Sequence, residues 1–196
     1  MRNAHPSSPI FASLGHGLLA LTMLCIPALF SGCQEPPPPR PEFIATIHYG
    51  DKYLTGTFTS AKKGVHMPES GRVFEAFSYP AIGIEDFATV EVIEAGPPNE
   101  RLPYLRVRLY PVEASKIFSH TSTARGSYLF LLVNDVPIGI HRIHAPISSG
   151  DIPFAVELPH ATQEELVAKM QDLAMDLRQS IVVAREYAAY LKKQNQ

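Results

Sequence analysis

The apolar run Tyr128–Val133 constrains the fold more than any other stretch of this chain. A strand with one face in water alternates apolar and polar residues, whereas an unbroken apolar run indicates a strand covered on both faces. The sequence therefore predicts a central strand over residues 127–133. Residues 105–110 contrast with it, because their apolar residues alternate with two arginines, as expected of a strand that is buried on one face only.

Further β-rich stretches surround these two strands. The remaining predicted strands, in chain order, are residues 43–49, 73–79, 88–95, 136–143 and 152–158. Residues 50–72 are polar and contain glycine, with weak strand character at residues 54–58. Pro111 suits the first position of a helix, and a short helix is predicted over residues 112–121. The Asn134-Asp135 pair indicates a turn.

The strongest helical signal lies near the C-terminus. Thr162 and Glu165 have the spacing of a capping box. Apolar residues then recur at steps of three and four as far as Leu191, which predicts a helix of about 30 residues, or ~45 Å. Its second half could extend beyond the domain, pack on the N-terminal segment or meet a partner, and Tyr187 and Tyr190 are candidates for docking or for packing. The fold class predicted is α+β, with an antiparallel or mixed sheet, a short packing helix and a long C-terminal helix.

The first 32 residues have the pattern of an export leader. Arg2 is followed by a stretch without charge at residues 11–30 and then by Ser31, Gly32 and Cys33. This resembles a bacterial lipoprotein signal peptide, which implies that Cys33 begins the mature protein and carries lipid. An uncleaved signal anchor and a plain secretory signal are the alternatives. All three place the remainder outside the cytoplasm, and Gln34 favours an outer membrane where the cell has one.

Composition narrows the class of protein. Cys25 and Cys33 are the two cysteines, so the domain after the leader needs a hydrophobic core instead of disulfides. The near balance of 17 basic and 19 acidic residues argues against a nucleic-acid partner. The organisation expected is a leader at 1–32, a lipidated cysteine with a proline-rich spacer at 33–42, an N-terminal β segment at 43–74, a main domain at 75–180 and a helical extension at 181–196.

Four segments carry a resemblance to a known family. They are residues 84–90, 105–118, 131–138 and 145–150, in which strands, a helix, a turn and a Pro-Ile-x-x-Gly loop follow one another. Their order and spacing resemble the head subdomain of the first periplasmic region of SecD, an accessory protein of the Sec translocon. The resemblance implies a SecD-head-like fold and a head that faces polypeptide or another protein. It does not imply a motor role, because no transmembrane bundle is expected beyond the leader.

No catalytic, metal-binding or cofactor-binding constellation is predicted. His141 and His144 are three apart on a predicted strand, which places them on opposite faces. His120 and His160 flank helices and are interpreted as solvated or edge residues. The best candidate for a binding surface is the loop that contains Pro146, Ile147, Gly150 and Asp151, although these residues could instead only set the geometry of the turn.

The function expected is that of a lipid-anchored, extracytoplasmic, non-catalytic module that binds protein, with a link to protein export or envelope assembly. Its contacts would be the membrane, through Cys33, and a protein or polypeptide partner, with the oligomeric state left open. The alternative is a small ligand-binding or hydrolytic envelope lipoprotein. It requires a pocket that joins two or more of His120, His141, Asp86 and Glu157. A purely structural spacer is a third hypothesis.

Overall fold

A computed structural model describes residues 36–50 and 61–195 of the chain. The leader, Cys33 and the weak strand signal at 54–58 lie outside the described residues. The architecture below is that of the unit Pro38–Gln196. Its strands are β1 (Ala45–Tyr49), β2 (Lys62–His66), β3 (Val73–Phe77), β4 (Ile82–Gly83), β5 (Phe87–Ala95), β6 (Leu102–Leu109), β7 (Tyr128–Val133), β8 (Val136–Arg142) and β9 (Asp151–Val156). Its helices are α1 (Pro111–Thr123) and α2 (Gln163–Gln194), with a 3₁₀ turn at Ile84–Asp86.

Seven strands form one antiparallel sheet in the order β4-β1-β7-β8-β9-β6-β5, and β2 pairs with β3 in a separate hairpin. The α+β class, the short helix and the long C-terminal helix are therefore confirmed. The strands β2 and β4 were not predicted. Residues 61–66 carry two lysines and a glycine, so their strand arises from pairing with β3 and not from local β propensity.

The apolar strand β7 is covered on both faces, as its sequence predicts. Leu129 and Leu131 lie in the main core, beneath the helices. Phe130 and Leu132, on the opposite face, pack against Val65, Met67 and Ala76 of the β2–β3 hairpin and its flank. We call β4, β1, β7 and β8 the closed half of the sheet, because the hairpin packs on the side opposite the helices.

The three remaining strands, β9, β6 and β5, form what we call the open half. Leu105, Val107 and Leu109 of β6 are buried in the main core. The alternate side chains, Arg106 and Arg108, lie on the other face and pair with Glu91 and Asp151 at 2.6 and 2.7 Å. The alternation in the sequence of β6 thus corresponds to one buried face and one face that carries ion pairs.

The long helix α2 begins at the predicted cap, Thr162, although the Glu165 carboxylate binds the amide of the residue before the cap. The Glu165 amide donates to the Thr162 hydroxyl at 3.2 Å, while the Glu165 carboxylate accepts from the Ala161 amide at 2.8 Å. Farther along, the Phe43 amide donates to Ser180 Oγ at 3.3 Å, and the Arg40 guanidinium lies 5.8 Å from the Tyr187 ring centre. Of the three roles left open for the second half of the helix, contact with the N-terminal segment is therefore observed.

The turn between β7 and β8 forms without the glycine that is usual there. Asn134 and Asp135 have φ angles of 49° and 64°. A two-residue hairpin loop of type I′ needs positive φ at both central positions, and Asn and Asp tolerate that region better than other non-glycine residues do. Asn134 Oδ1 also accepts from the Ile44 amide at 2.8 Å, which ties the turn to the start of β1.

Candidate functional site

The two halves of the sheet are joined by little backbone pairing. β8 and β9 pair at Gly139 with Val156 and at Ile140 with Ala155, the Glu157 amide donates to the Ile138 carbonyl at 2.8 Å, and the pairing stops before His141. Pro153 has no N–H to donate in the region where the strands part. Instead, His141 Nδ1 donates to the Pro153 carbonyl at 2.8 Å, so a side chain bridges the gap between the two strands. We call this place the fork.

A groove of about 520 Å³ lies at the fork. Its polar lining comes from Arg72 after the hairpin turn, Tyr104 of β6, Tyr128 of β7, His141 and Arg142 of β8, and His144 beyond it. Its apolar lining comes from Ala95, Ile140, Pro153 and Ala155. No aspartate or glutamate lines it among the residues that the structure describes.

Two of the cations in this groove differ in how they are held. Arg72 Nε donates to Ser70 Oγ at 3.2 Å, Arg72 Nη2 lies 3.4 Å from the Glu157 carboxylate, and its guanidinium is 5.8 Å from the Phe74 ring centre. Arg142 is exposed and makes no ion pair with any residue in 36–50 or 61–195. Arg72 is therefore partly neutralised, and Arg142 keeps its full donor set for a ligand.

Burial controls the charge of His141. Loss of solvent lowers the pKa of this imidazole below its ordinary value, the hydrogen bond to Pro153 opposes that effect, and the nearby His144 lowers the pKa further. Because a carbonyl can only accept, Nδ1 carries the proton and Nε2 of the neutral ring is an acceptor. At neutral pH His141 is thus a neutral side chain that gains a donor only when a ligand favours its protonation.

The prediction that His141 and His144 lie on opposite faces was wrong. β8 ends at Arg142, so the strand alternation does not extend to His144, and both side chains line the same groove. His144 is positioned through its carbonyl, which accepts from Arg125 Nε at 2.7 Å. Within the described parts of the chain, no group of three or more His, Cys, Asp or Glu could hold a metal ion.

A second histidine, His120, is half-buried away from this groove. The His120 ring of α1 stacks on the Tyr49 ring of β1, with centroids 3.5 Å apart and planes 18° apart. His120 Nε2 is buried without a hydrogen-bond partner among the described residues. Burial lowers the pKa of His120, and it raises the pKa of Tyr49 against the opposing effect of Lys116. The interpretation of His120 as a solvated edge residue therefore does not describe its packing.

The predicted binding loop is built into the body of the domain. Ile147 is buried, and its amide donates to Thr121 Oγ1 at 3.0 Å. Gly150 has a φ of 72°, its carbonyl accepts from the Leu109 amide at 3.0 Å, and an added Cβ would lie 2.6 Å from the Ala114 Cβ. Asp151 pairs with Arg108, while Pro146 is exposed.

The outer residues of that loop face a shallow depression of about 400 Å³. It is lined by Leu109, Pro111, Ala114, Ser115, Phe118, Ser148 and Ser149. Of the four residues named in the sequence, none lines this depression, so a binding role for them stays a prediction. Their observed contacts set the geometry of the turn.

The hydrolase alternative requires a pocket shared by two or more of four residues. His141 lines the groove at the fork, but His120 stacks on Tyr49, and Asp86 accepts from the Gly83 amide at 3.4 Å. Glu157 is held by the Ser70 amide and hydroxyl at 2.9 and 2.8 Å. None of the grooves described above contains two of these four residues.

Sequence reasoning missed Arg72, Tyr104, Tyr128 and Arg142 as a group. Arg72 enters the groove only because the hairpin folds over the sheet, and the hairpin was itself missed. Tyr128 belongs to the apolar run that was interpreted as core. One signal in the sequence was Arg142, because an arginine that ends a strand lies at the margin of the sheet.

Comparison with solved structures finds two SecDF proteins. The chain is similar to SecDF in its super-membrane-facing form, with 13% identity and a TM-score of 0.45 over 69% of this chain and 18% of that one. It is also similar to SecDF described as a membrane component that enhances protein export, with 13% identity and a TM-score of 0.41 over 91% of this chain and 71% of that one. Both proteins belong to the family that the sequence resembles, and at this identity the likeness concerns the fold alone.

This chain spans 18% of the length of the first of these structures. No family model and no curated protein matches it. No helix among residues 36–50 and 61–195 is long and apolar enough to cross a membrane.

Proposed function

We propose that this protein is a lipid-anchored, extracytoplasmic domain that binds extended polypeptide along β5 and has no catalytic activity. The observation that supports it is the difference between the two edges of the sheet. β4 has two residues, whereas β5 has nine and has no strand on its outer side among the described residues. An edge strand of this length presents a row of backbone donors and acceptors that an incoming chain can pair with.

The two ends of β5 differ in their protection. At its start, Arg185 Nη2 donates to the Phe87 carbonyl, and the register shifts between Phe87 and Thr89. A bulge and a side-chain donor both hinder strand addition there. The rest of the strand, from Thr89 to Ala95, keeps regular pairing with β6, and it is the stretch we propose for capture.

Protein export, the process named for SecDF, is the setting that we propose for this binding. The anchor is the lipid on Cys33, and several acyl chains would give durable attachment, at about 0.8 kcal/mol for each buried CH₂. Labelling of cells with an alkyne-bearing fatty acid tests the anchor. The wild-type protein should be labelled and sediment with membranes, and Cys33→Ala should lose both properties. Equal labelling of the two would contradict lipidation at Cys33.

Capture along β5 is tested with a photoreactive residue at Glu94, which is exposed on that strand. The matched control is the same residue at Val112 on α1, which is 66% exposed. A permanently unfolded reporter polypeptide should crosslink at position 94 and not at 112. The reporter should also slow amide hydrogen exchange in residues 89–95. Equal crosslinking at both positions, or unchanged exchange in β5, would contradict the proposal.

A further inference from the structure

We infer that the groove at the fork binds a carboxylate of the captured polypeptide, held by Arg142 with Arg72 and His144 beside it. The inference rests on the proposed function in that its occupant is a polypeptide. The polar side chains of this groove are those of arginine, histidine and tyrosine. No carboxylate lines it among the described residues. A cleft whose charges have one sign attracts ligands of the opposite sign and concentrates them.

Arg142 is the residue best able to hold the anion. Its guanidinium offers a planar set of donors that matches the two oxygens of a carboxylate. It makes no ion pair within the described residues that would have to break first. Arg72 is tied to Glu157 and Ser70, so it contributes positive charge from a fixed position instead of swinging onto the ligand.

The shape of the groove favours a peptide over a free anion. It extends from Tyr128 of β7 across to Ala95, the last residue of β5, and so reaches the strand proposed for capture. Its apolar walls, Ile140, Pro153 and Ala155, offer nothing to an inorganic ion but fit the side chains next to an acidic residue. The two tyrosines add apolar ring area together with hydroxyl donors.

His141 strengthens binding through its second nitrogen. Nδ1 is already committed to the Pro153 carbonyl, so Nε2 is the ring atom free to meet a ligand in the groove. A carboxylate at Nε2 favours the protonated ring, in which both nitrogens donate. This proton on Nε2 would donate to the ligand, and the hydrogen bond from Nδ1 to the Pro153 carbonyl would remain.

The test uses the full chain in detergent and two short peptides that are acetylated and amidated at their ends. One has a central glutamate and the other has glutamine there, so they differ in one carboxylate. Isothermal titration compares the wild type, Arg142→Gln and the control Arg178→Gln, which removes an exposed charge from α2. The glutamate peptide should bind the wild type and Arg178→Gln about tenfold more tightly than its twin, and Arg142→Gln should lose that preference.

Equal binding of the two peptides to the wild type overturns this inference and leaves polypeptide capture standing. A preference that survives in Arg142→Gln also overturns it, because the carboxylate then binds elsewhere. If low concentrations of inorganic phosphate displace the glutamate peptide, the groove binds free anions, and the inference that its occupant is a peptide is overturned. Absence of binding by both peptides overturns it as well, and crosslinking at position 94 then shows separately whether capture along β5 has failed.

Discussion

The closed and open halves of the sheet use the same kind of strand for different purposes. In the closed half, side chains on both faces of β7 are buried, beneath the helices on one side and beneath the hairpin on the other. In the open half, β6 buries one face and fills the other with ion pairs to its neighbours. The closed half is thus buried on both faces, while the open half is buried on one face and carries exposed ion pairs on the other.

The largest effect is expected from a cavity in the closed half. Phe130 is fully buried between the sheet and the hairpin. Phe130→Ala should cost about 3–5 kcal/mol of unfolding free energy, because it loses apolar contacts and leaves a cavity. Tyr104→Ala, at a half-buried position of the open half, should cost roughly 1 kcal/mol. Chemical denaturation of the purified protein measures both, and equal losses would contradict the division into halves.

A smaller loss is expected where the open half meets α1. Gly150→Ala places a Cβ 2.6 Å from the Ala114 Cβ at a φ of 72°. Strain and overpacking together should cost about 2–4 kcal/mol. Gly71→Ala is the matched control, because its φ of 63° is similar and nothing lies within 4 Å of its added Cβ. A Gly71→Ala loss as large as that of Gly150→Ala would show that packing on Ala114 contributes nothing.

In addition to the apolar contact, one carboxylate ties the turn of the hairpin to the sheet. Burial favours a raised pKa for Glu157, but hydrogen bonds from Ser70, Glu69 and Arg72 outweigh it, and the net pKa lies below the ordinary 4.5. A carboxyl whose pKa is lower in the folded state stabilises the fold above pH 4.5, and that stabilisation disappears as the pH falls through the lowered pKa.

Glu157→Gln should therefore cost about 1–2 kcal/mol at neutral pH, since its donors lose a charged acceptor. The difference from the wild type should shrink in acid, below pH 4.5. Hydrogen exchange of β2 and β3, followed from pH 7 to well below pH 4.5, measures the release of the hairpin. The exposed Glu164→Gln serves as the control, with no change expected in β2 and β3. A loss from Glu157→Gln that stays constant down to low pH would contradict the role of its charge.

Local patterns predicted most of this architecture, and the exceptions have a physical cause. The unbroken run in β7, the alternation in β6 and the capping box of α2 each reflect burial or hydrogen bonding within a few residues. The β2–β3 hairpin was missed because β2 has little β propensity of its own, and because its contact with Phe130 joins distant parts of the chain. The groove at the fork was missed for the same reason, since Arg72 and Arg142 come together only when that hairpin covers the sheet.

The smallest effect is expected from the ion pairs that cover the open face. Arg106 Nη2 lies 2.6 Å from the Glu91 carboxylate across β5 and β6, and both side chains are about one-third exposed. Cross-strand pairs of this kind contribute about 0.2–1 kcal/mol, because water already solvates the charges. A double-mutant cycle with Arg106→Gln and Glu91→Gln should give a coupling in that range, and it should decrease in high salt. A coupling well above it would mean that the open face is shielded from water, and the contrast between the two halves would then have to be abandoned.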